Sequence, residues 1–373
     1  MIISLLCMFK PHFTITNNLL TYVSRIEAAK ALIDNAALVP SWEAKFRDDA
    51  LNRTVHYGTK IEGNDLTAEQ AAQLTQLQNI HEIQNTQDAA QKAGIIARER
   101  DIQEVINYRQ VLEWINNWQD YISDPKALND GILKQLHKLT MQRLIDPQYI
   151  GEYRDKQVVV RSALDSSIVF RPPVFVEIPY LMDEYFSWLN SLQTQLLHAI
   201  FRAAITHYQI VYIHPFIEGN GRTSRAMATL VLYSSGYDFK RFFSLEKYFD
   251  DDVTQYYQAL QSVQQQNDMT YWIEYFCYGL AIEIDKVKQQ VLKLSKDTKL
   301  KQDLGGQQVA LSERQIVLLE LFQRQEDVTS ADAQEVLPNI SVDTILRDIK
   351  DLVSKGVIEK RGVTKGVTYR LHK

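Results

Sequence analysis

Apolar residues recur at three- and four-residue intervals along most of this chain, the spacing that places them on one face of an α-helix. The segment of residues 88–119 shows this stripe over its whole length. Similar patterns predict helices over residues 129–145, 176–196, 197–213, 223–235, 252–266 and 270–294. Glycine is sparse, with 14 in the chain, so the fold class predicted is mainly α. For residues 1–45 the pattern predicts only helices that support the rest of the fold.

One segment departs from helical spacing. Residues 157–175 contain two short runs of β-branched and aromatic side chains, Val158–Val160 and Ile168–Phe170. The intervening Asp-Ser-Ser of residues 165–167 has turn composition, and two prolines follow the second run. This pattern predicts an isolated β-hairpin, which is marginal unless it packs on the helices or holds a partner.

The C-terminal part of the chain reads as a separate unit. Residues 295–310 are polar and charged and contain a Gly-Gly pair, which predicts a linker. Beyond it, three helical patterns are followed by two short β-rich runs around a turn, the element order of a winged-helix domain. The helices are predicted over residues 312–325, 329–337 and 341–355, and the β-rich runs are Val357–Lys360 and Thr368–Leu371.

Composition narrows the class of protein. The chain has 373 residues, 45% of them hydrophobic and 23% charged, as in soluble globular proteins of two or three domains. Its net charge of −5 provides no overall attraction to nucleic acid or to an anionic membrane. Cys7 and Cys277 are far apart without metal-ligand spacing, so a cytoplasmic location is expected. The start, MIISLLCMFKPHF, lacks the features of a signal peptide or membrane span and predicts a strand or a loosely packed arm.

The stretch HPFIEGNGRTSR, residues 214–225, lies between two apolar helical patterns and is called the signature turn below. Its second helix would begin near Gly219, and a helix N-terminus has unpaired N–H groups and a partial positive charge that suit phosphate. Gly219 and Gly221 let the backbone approach oxygen atoms closely. Arg222 and Arg225 share a helix face beside that position. The turn therefore predicts a phosphate-binding site.

Two further side chains of the signature turn add reactive chemistry. His214 precedes Pro215, outside the second helix, and imidazole titrates near neutral pH, as a general base requires. Glu218 suits an anion site where a divalent cation bridges it to phosphates. Each residue alone is more often a structural or solvated group, but their order and spacing together favour a nucleotide site with a base beside it.

The signature turn resembles the signature of the Fic (Fido) family, His-Pro-Phe-x-(Asp/Glu)-Gly-Asn-Gly-Arg-x-x-Arg, at every specified position. The resemblance implies a Fic-type helical bundle that transfers AMP from Mg-ATP to a Ser, Thr or Tyr hydroxyl of a protein. It implies that His214 is the catalytic base, that Phe216 packs the turn, and that Glu218 binds Mg²⁺. The ATP-binding residues would be Glu218, Gly219, Asn220, Gly221, Arg222, Thr223, Ser224 and Arg225, with Arg225 at the γ-phosphate.

Two other segments are similar to parts of Fic proteins. The hairpin of residues 157–175 resembles the flap that holds the target protein by strand addition, and it is called the flap below. Tyr256 and Tyr257, followed by Leu260 and Asn267, resemble a segment that lines the adenine pocket. Packing in the hydrophobic core is an equal alternative for these two tyrosines.

TKIEGN, residues 59–64, follows a helical pattern that Gly63 would end. It resembles the (Ser/Thr)-x-x-x-Glu-(Gly/Asn) motif of Fic proteins with an N-terminal inhibitory helix, here about residues 45–64. Glu62 matches, but Gly58 stands at the hydroxyl position. The resemblance implies that Glu62 pairs with Arg225 and blocks the γ-phosphate, or that it orients a water molecule that removes AMP. A solvated charge at a helix end is the plain alternative.

The predicted domains are therefore an N-terminal helical region (1–95), a Fic catalytic core (96–294), the linker and the winged-helix domain (311–373). Residues 341–373 hold eight Lys or Arg against four acids, which suits DNA. Three of those acids lie in the third helix, however, so protein docking or a homodimer is favoured over DNA.

A second function class stays open: a winged-helix transcriptional regulator that uses its Fic domain as a nucleotide sensor. The intact His214 argues against it, because sensing needs no base. Transfer of UMP, phosphocholine or phosphate is a third alternative, although the two glycines and both arginines favour AMP.

Overall fold

The computed structural model of the chain describes residues 9–36, 38, 40–77, 85–118, 128–161, 168–303, 312–325, 327–338, 340–362 and 367–371. These residues form mostly α-helices, with two small antiparallel sheets of two strands each, which confirms the predicted fold class. None of the described helices is long and apolar enough to cross a membrane.

The chain divides into two compact units, residues 1–35 with 40–289, and residues 36–39 with 290–373. The helices up to the signature turn are α1 (Asn17–Asp34), α2 (Pro40–Lys60), α3 (Ala68–Thr75), α4 (Thr86–Ala93), α5 (Glu99–Asn116), α6 (Asp130–Met141), α7 (Ile178–Leu189), α8 (Leu192–Gln195) and α9 (Ala199–Ile213). Those after it are α10 (Asn220–Ser234), α11 (Leu245–Asp251), α12 (Val253–Gln266) and α13 (Thr270–Asp303).

Helices α9 and α10 form the centre of the first unit, and nearly every side chain of α9 is buried. Helix α2 packs on α3, α5 and α11, and α6 packs on both α5 and α10. The two small strands of the flap are β1 (Val160–Arg161) and β2 (Ile168–Phe170). This packing brings the end of α2, the start of α5 and the signature turn together.

The second unit contains α14 (Glu313–Arg324), α15 (Ser330–Val336), α16 (Val342–Ser354), β3 (Ile358–Arg361) and β4 (Thr368–Leu371). The strands pair antiparallel, with Ile358 opposite Leu371. The three helices and the hairpin enclose their own apolar core, which includes Leu318, Phe322, Ile345, Ile349, Leu352 and Tyr369. The element order is the one predicted from the sequence, and the winged-helix assignment stays a prediction.

Several predicted element boundaries are wrong. The single helix of residues 88–119 is two helices, because Gly94 adopts a left-handed conformation (φ 68°) and caps α4. The helix of residues 176–196 ends at Leu189, and Ser191 caps the short α8 by accepting a hydrogen bond from Thr194. The predicted linker of residues 295–310 is helical as far as Asp303, since its Lys, Leu and Gln residues have good helix propensity and extend α13. Residues 304–311 lie outside the described residues.

Residues 9–16 have no regular secondary structure, and residues 1–8 of the predicted strand or arm lie outside the described residues. The His12 carbonyl accepts a hydrogen bond of 2.7 Å from the Met269 amide, and Phe9 contacts Trp188 edge to face. The Thr14 amide also donates to Thr270 Oγ1 at 2.8 Å, so this part of the chain is held against α7 and the start of α13.

Candidate active site

The signature turn begins where α9 ends. His214 follows Ile213 in a left-handed conformation (φ 52°, ψ 55°), and Pro215 after it disfavours a further helical residue at 214. Gly219 is also left-handed (φ 78°) and caps the start of α10. A Cβ atom at Gly219 would overlap the side chain of Met141, so glycine is required there for both dihedral and space.

Asn220 holds the signature turn closed. Its Oδ1 accepts a hydrogen bond of 3.0 Å from the Phe216 amide, and its Nδ2 donates one of 2.9 Å to the Phe216 carbonyl. The side chain of Asn220 is thus bonded within the turn. The group of Asn220 that is left for the expected contact with phosphate is its backbone N–H, at the N-terminus of α10.

His137 on α6 also supports the turn, and sequence reasoning missed it. Its Nδ1 accepts a hydrogen bond of 2.9 Å from the Gly151 amide, so its Nε2 carries the hydrogen and donates to the Glu218 carbonyl at 3.0 Å. The ring stacks on Phe216 with centroids 3.8 Å apart. Burial lowers the pKa of His137 to about 4, which keeps it neutral. A histidine in an apolar helical stripe gives no signal of this role.

The His214 imidazole is oriented by its own helix. Its Nδ1 lies 3.3 Å from the Val211 carbonyl, which can only accept, so Nδ1 carries the hydrogen and Nε2 keeps a free lone pair. Burial, supported by the charge of Arg154, lowers the pKa of His214 to about 4. The ring is therefore neutral at pH 7 and can accept a proton at Nε2.

The Glu62 carboxylate lies against Arg225. Arg225 Nη2 donates to Glu62 Oε1 at 2.9 Å and to the Gly58 carbonyl at 2.8 Å. The Arg225 side chain is 2% exposed and that of Glu62 is 25% exposed. Burial alone would raise the pKa of Glu62, but Arg225 and Arg222 outweigh it and hold that pKa below its usual value. The pair is therefore ionised at neutral pH.

The local backbone explains how Glu62 reaches Arg225. Helix α2 ends at Lys60 rather than near residue 64 as predicted, so Glu62 lies in the turn after the helix. Its amide donates to the Thr59 carbonyl at 3.0 Å, and Gly63 follows with φ 90°. Opposite it, a Cβ atom at Gly221 would overlap Glu62 Oε1, so the carboxylate lies directly over the start of α10.

A second set of ion pairs links α5 to the signature turn. Arg222 Nη1 lies 3.2 Å from Glu104 Oε1, and Arg100 Nε donates to the same oxygen at 3.1 Å. Arg100 Nη2 also pairs with Glu218. The sequence reasoning missed Arg100 and Glu104, because an Arg and a Glu four residues apart on a helix read as an ordinary surface pair.

The two arginines of the signature turn keep hydrogen-bonding capacity that the protein does not use. Among the described residues no acceptor lies on Arg222 Nε or on Arg225 Nε and Nη1, although these atoms are buried. Leaving buried donors of charged groups unpaired costs free energy. The arrangement is that of a site built for an anion that supplies the missing acceptors.

Glu218 is the candidate metal ligand. Within the described parts of the chain, no cluster of three or more His, Cys, Asp or Glu side chains could hold a metal ion. The Glu218 side chain is 41% exposed, however, and Mg²⁺ commonly binds one carboxylate together with substrate phosphates and water. The residues thus fit a cation shared with a bound nucleotide.

The remaining side chains predicted to bind ATP differ in how deeply they are buried. Tyr256 is 1% exposed, stacks on Phe249 and shares a hydrogen bond of 3.1 Å with His207, so it packs in the core. Tyr257 beside it is 43% exposed and can face a ligand. Thr223 and Ser224 are fully buried in α10, and Ser224 Oγ donates to the Gly221 carbonyl at 2.7 Å.

The flap lies between α6 and α7 in the chain. Val160 pairs with Phe170 and Arg161 with Ile168, in an antiparallel arrangement with an irregularity between the pairs. The predicted turn at residues 165–167 lies outside the described residues. Arg154, which sequence reasoning also missed, is buried between the flap and the signature turn.

Comparisons with known proteins agree with this geometry. Residues 127–232, which include the flap and the signature turn, match the model of the Fic/DOC family. The chain contains a Fic/DOC family domain. The segments that carry Glu62, Arg100 and Glu104 lie before this match.

Curated relatives are similar over about half of the chain. A protein adenylyltransferase Fic of Drosophila erecta is 31% identical over 215 residues, which cover 57% of this chain and 38% of the relative. That of Aedes aegypti is 31% identical over 193 residues, 51% of this chain and 33% of the relative. This chain therefore matches less than two fifths of the length of either relative.

Solved structures share the fold. A Fic family protein from Desulfovibrio desulfuricans G20 superposes with a TM-score of 0.61 at 23% identity, over 97% of this chain and 98% of the other. A Fic domain-containing signaling protein from Bacteroides thetaiotaomicron VPI-5482 gives 0.57 at 21% identity, over 75% and 97%.

Proposed function

We propose that this protein is a protein adenylyltransferase, which transfers AMP from Mg-ATP to a hydroxyl group of a target protein and is restrained by Glu62. The observation that carries the proposal is the pair of buried arginines with unused N–H donors beside a neutral histidine. The names of the curated relatives, all adenylyltransferases, support the same chemistry.

The ATP phosphates would lie over the start of α10. The backbone N–H groups of its first turn, together with the free donors of Arg222 and Arg225, supply hydrogen bonds to the phosphate oxygens. Arg225, which pairs with Glu62, would hold the γ-phosphate. Of the two predicted tyrosines, Tyr257 is the exposed one and would contact the adenine ring.

The transfer step uses His214 as general base. The target hydroxyl approaches Nε2, which accepts its proton as the oxygen attacks the α-phosphorus. The new bond joins that oxygen to phosphorus, and the bond from the α-phosphorus to the bridging oxygen of the β-phosphate breaks, so pyrophosphate leaves. Glu218 would hold Mg²⁺, which when bound neutralises phosphate charge.

Glu62 restrains the reaction in this proposal. Its carboxylate accepts a hydrogen bond of 2.9 Å from Arg225 Nη2. It also lies over Gly221, where phosphate oxygens would approach. A nucleotide can bind productively only when that carboxylate moves away. The role of orienting a water molecule that removes AMP is compatible with the same position.

Incubation with ATP labelled on the α-phosphate tests the proposal. We expect Glu62→Gly to label protein at least tenfold faster than the wild type, because the carboxylate on Arg225 is gone. Adding His214→Ala or Arg225→Ala to Glu62→Gly should abolish the label while the fold, followed by circular dichroism, persists.

Two results would contradict the proposal. Equal labelling by Glu62→Gly and the wild type would exclude the restraint. ATP binding without label in any variant would favour the nucleotide-sensor function, and label from the γ-phosphate alone would indicate kinase chemistry.

A further inference from the structure

Arg154 is a buried arginine that bonds to two functional parts of the molecule at once. It is 2% exposed. Its Nε donates to the His214 carbonyl at 2.9 Å, and its backbone amide donates to the Pro215 carbonyl at 2.9 Å. The chain at Arg154 is thus held tightly against the first two residues of the signature turn.

The other end of the same guanidinium closes the base of the flap. Nη1 donates to the Lys156 carbonyl at 3.0 Å and Nη2 donates to the Pro173 carbonyl at 2.6 Å. Lys156 precedes β1 and Pro173 follows β2, so one planar group spans both legs of the hairpin. A two-stranded hairpin is only marginally stable by itself, and these bonds fix its orientation.

The charge of Arg154 has a consequence for His214. The hydrogen-bond acceptors described for its side chain are backbone carbonyls. None of these acceptors is a carboxylate that would neutralise its positive charge. Burial lowers the pKa of Arg154 itself. The charged groups that act on His214 are Arg154, which disfavours the protonated imidazole, and Glu62, which favours it.

We propose that Arg154 is a positioning residue that couples the flap to the catalytic base, so that a target strand docked on the flap presents its hydroxyl to His214. The coupling rests on the proposed adenylyl transfer. Only arginine provides three N–H directions in one rigid plane toward His214, Lys156 and Pro173, whereas lysine would keep the charge and lose this fork.

Hydrogen exchange of the Glu62→Gly protein tests the coupling without any need for activity. We expect Arg154→Lys to increase exchange at least tenfold at the flap strands, Val160–Arg161 and Ile168–Phe170, and to leave α10 protected. Arg202→Lys is the matched control, because Arg202 is a partly buried arginine of α9 that bonds to Gln195 and Ser235. Equal flap exchange in both variants would overturn the proposal, as would loss of protection throughout the first unit.

Activity adds a second readout. With Arg154→Lys we expect ATP affinity within twofold of the Glu62→Gly parent and labelling from α-labelled ATP at least tenfold slower. Labelling at the parent's rate would overturn the coupling to the base. Failure of the parent itself to bind ATP would instead contradict the proposed function, and flap exchange would still decide the coupling.

The pH profile separates geometry from charge. His214 acts as a base when neutral, so labelling is lost as the pH falls through its pKa. Arg154→Gln removes the positive charge, so the acid limb should move to higher pH than in Arg154→Lys, which retains it. Identical acid limbs in these two variants would overturn the electrostatic part of the role.

Discussion

Gly58 stands where the inhibitory motif has a hydroxyl residue, and the structure gives a physical reason for this departure. A Cβ atom at Gly58 would overlap the ring of Tyr108, a fully buried residue of α5 whose hydroxyl donates to Glu246. The Gly58 carbonyl is also an acceptor of Arg225. Glycine therefore lets α2 approach both the aromatic ring and the arginine.

Restoring the hydroxyl should destabilise this protein. We expect Gly58→Ser to lower the free energy of unfolding by about 1–3 kcal/mol, the usual cost of overpacking a core. Denaturant unfolding measures this change. In a Tyr108→Ala background the same substitution should cost much less, because the ring that it meets is gone. An equal cost in both backgrounds would show that Tyr108 is not the reason for glycine at this position.

Some site residues could be predicted from their spacing within a short stretch of sequence, and others could not. His214, Glu218 and Arg225 could be singled out because they share twelve residues with the glycines that accompany them. His137 and Arg154 could not, because their partners are backbone atoms that the fold brings near and that any residue type would supply.

Helix α5 shows what apolar periodicity misses at the scale of an element. Several of its polar side chains are buried, namely those of Asp101, Gln103, Glu104 and Asn107. A search for an apolar stripe treats such positions as the solvated face, so the pattern predicted the helix but not its contact with the signature turn. It also ran through Gly94, whose left-handed conformation only the folded chain reveals.

The ion pair between α5 and Glu218 should affect the metal requirement. Arg100 would compete with the proposed cation for the Glu218 carboxylate, so we expect Arg100→Gln to reduce the Mg²⁺ concentration needed for ATP binding. The effect should be a few-fold, since both side chains are about half exposed and such pairs contribute roughly 0–1 kcal/mol. Titration of ATP at several Mg²⁺ concentrations measures it.

Arg98→Gln is the control for this prediction. Arg98 lies just before α5 and pairs with Asp65 and Asp101, without a described contact to Glu218. A similar shift in both variants would mean that general loss of positive charge, rather than release of Glu218, is responsible.

In the whole molecule, all of the candidate site residues belong to the first unit, and the second unit has a core of its own. Two of the acidic residues of the third C-terminal helix, Asp348 and Asp351, form hydrogen bonds within that second unit. Asp348 accepts from Arg314 at 2.8 Å, and Asp351 accepts from Gln315 at 2.7 Å. DNA binding by this unit stays a prediction.

The separate core formed by residues 318–369 predicts that the part of the chain after α13 is dispensable for the proposed chemistry. A protein of residues 1–303, which keeps α13 whole, should bind ATP and label itself within about threefold of the full chain, with and without Glu62→Gly. Loss of labelling in this shortened protein, with its helical content retained, would show that the C-terminal helices contribute to the reaction.

The mainly helical class and the order of the C-terminal elements followed from the sequence, because periodicity is repeated over many turns and tolerates local errors. Boundaries did not follow. Helix α7 stops at a single cap residue, Asn190, which apolar periodicity does not detect. Helix α13 continues to Asp303 through a polar segment whose composition alone indicated a linker.

The linked ion pairs around the signature turn have a consequence for the approach of a nucleotide. Three arginines, Arg100, Arg222 and Arg225, face three glutamates, Glu62, Glu104 and Glu218, so their formal charges sum to zero. A polyanion diffusing toward this surface thus gains no long-range attraction from the very residues that would bind it. Withdrawal of the Glu62 carboxylate would leave one net positive charge, so the proposed restraint would act on the rate of encounter as well as on the geometry of the bound state.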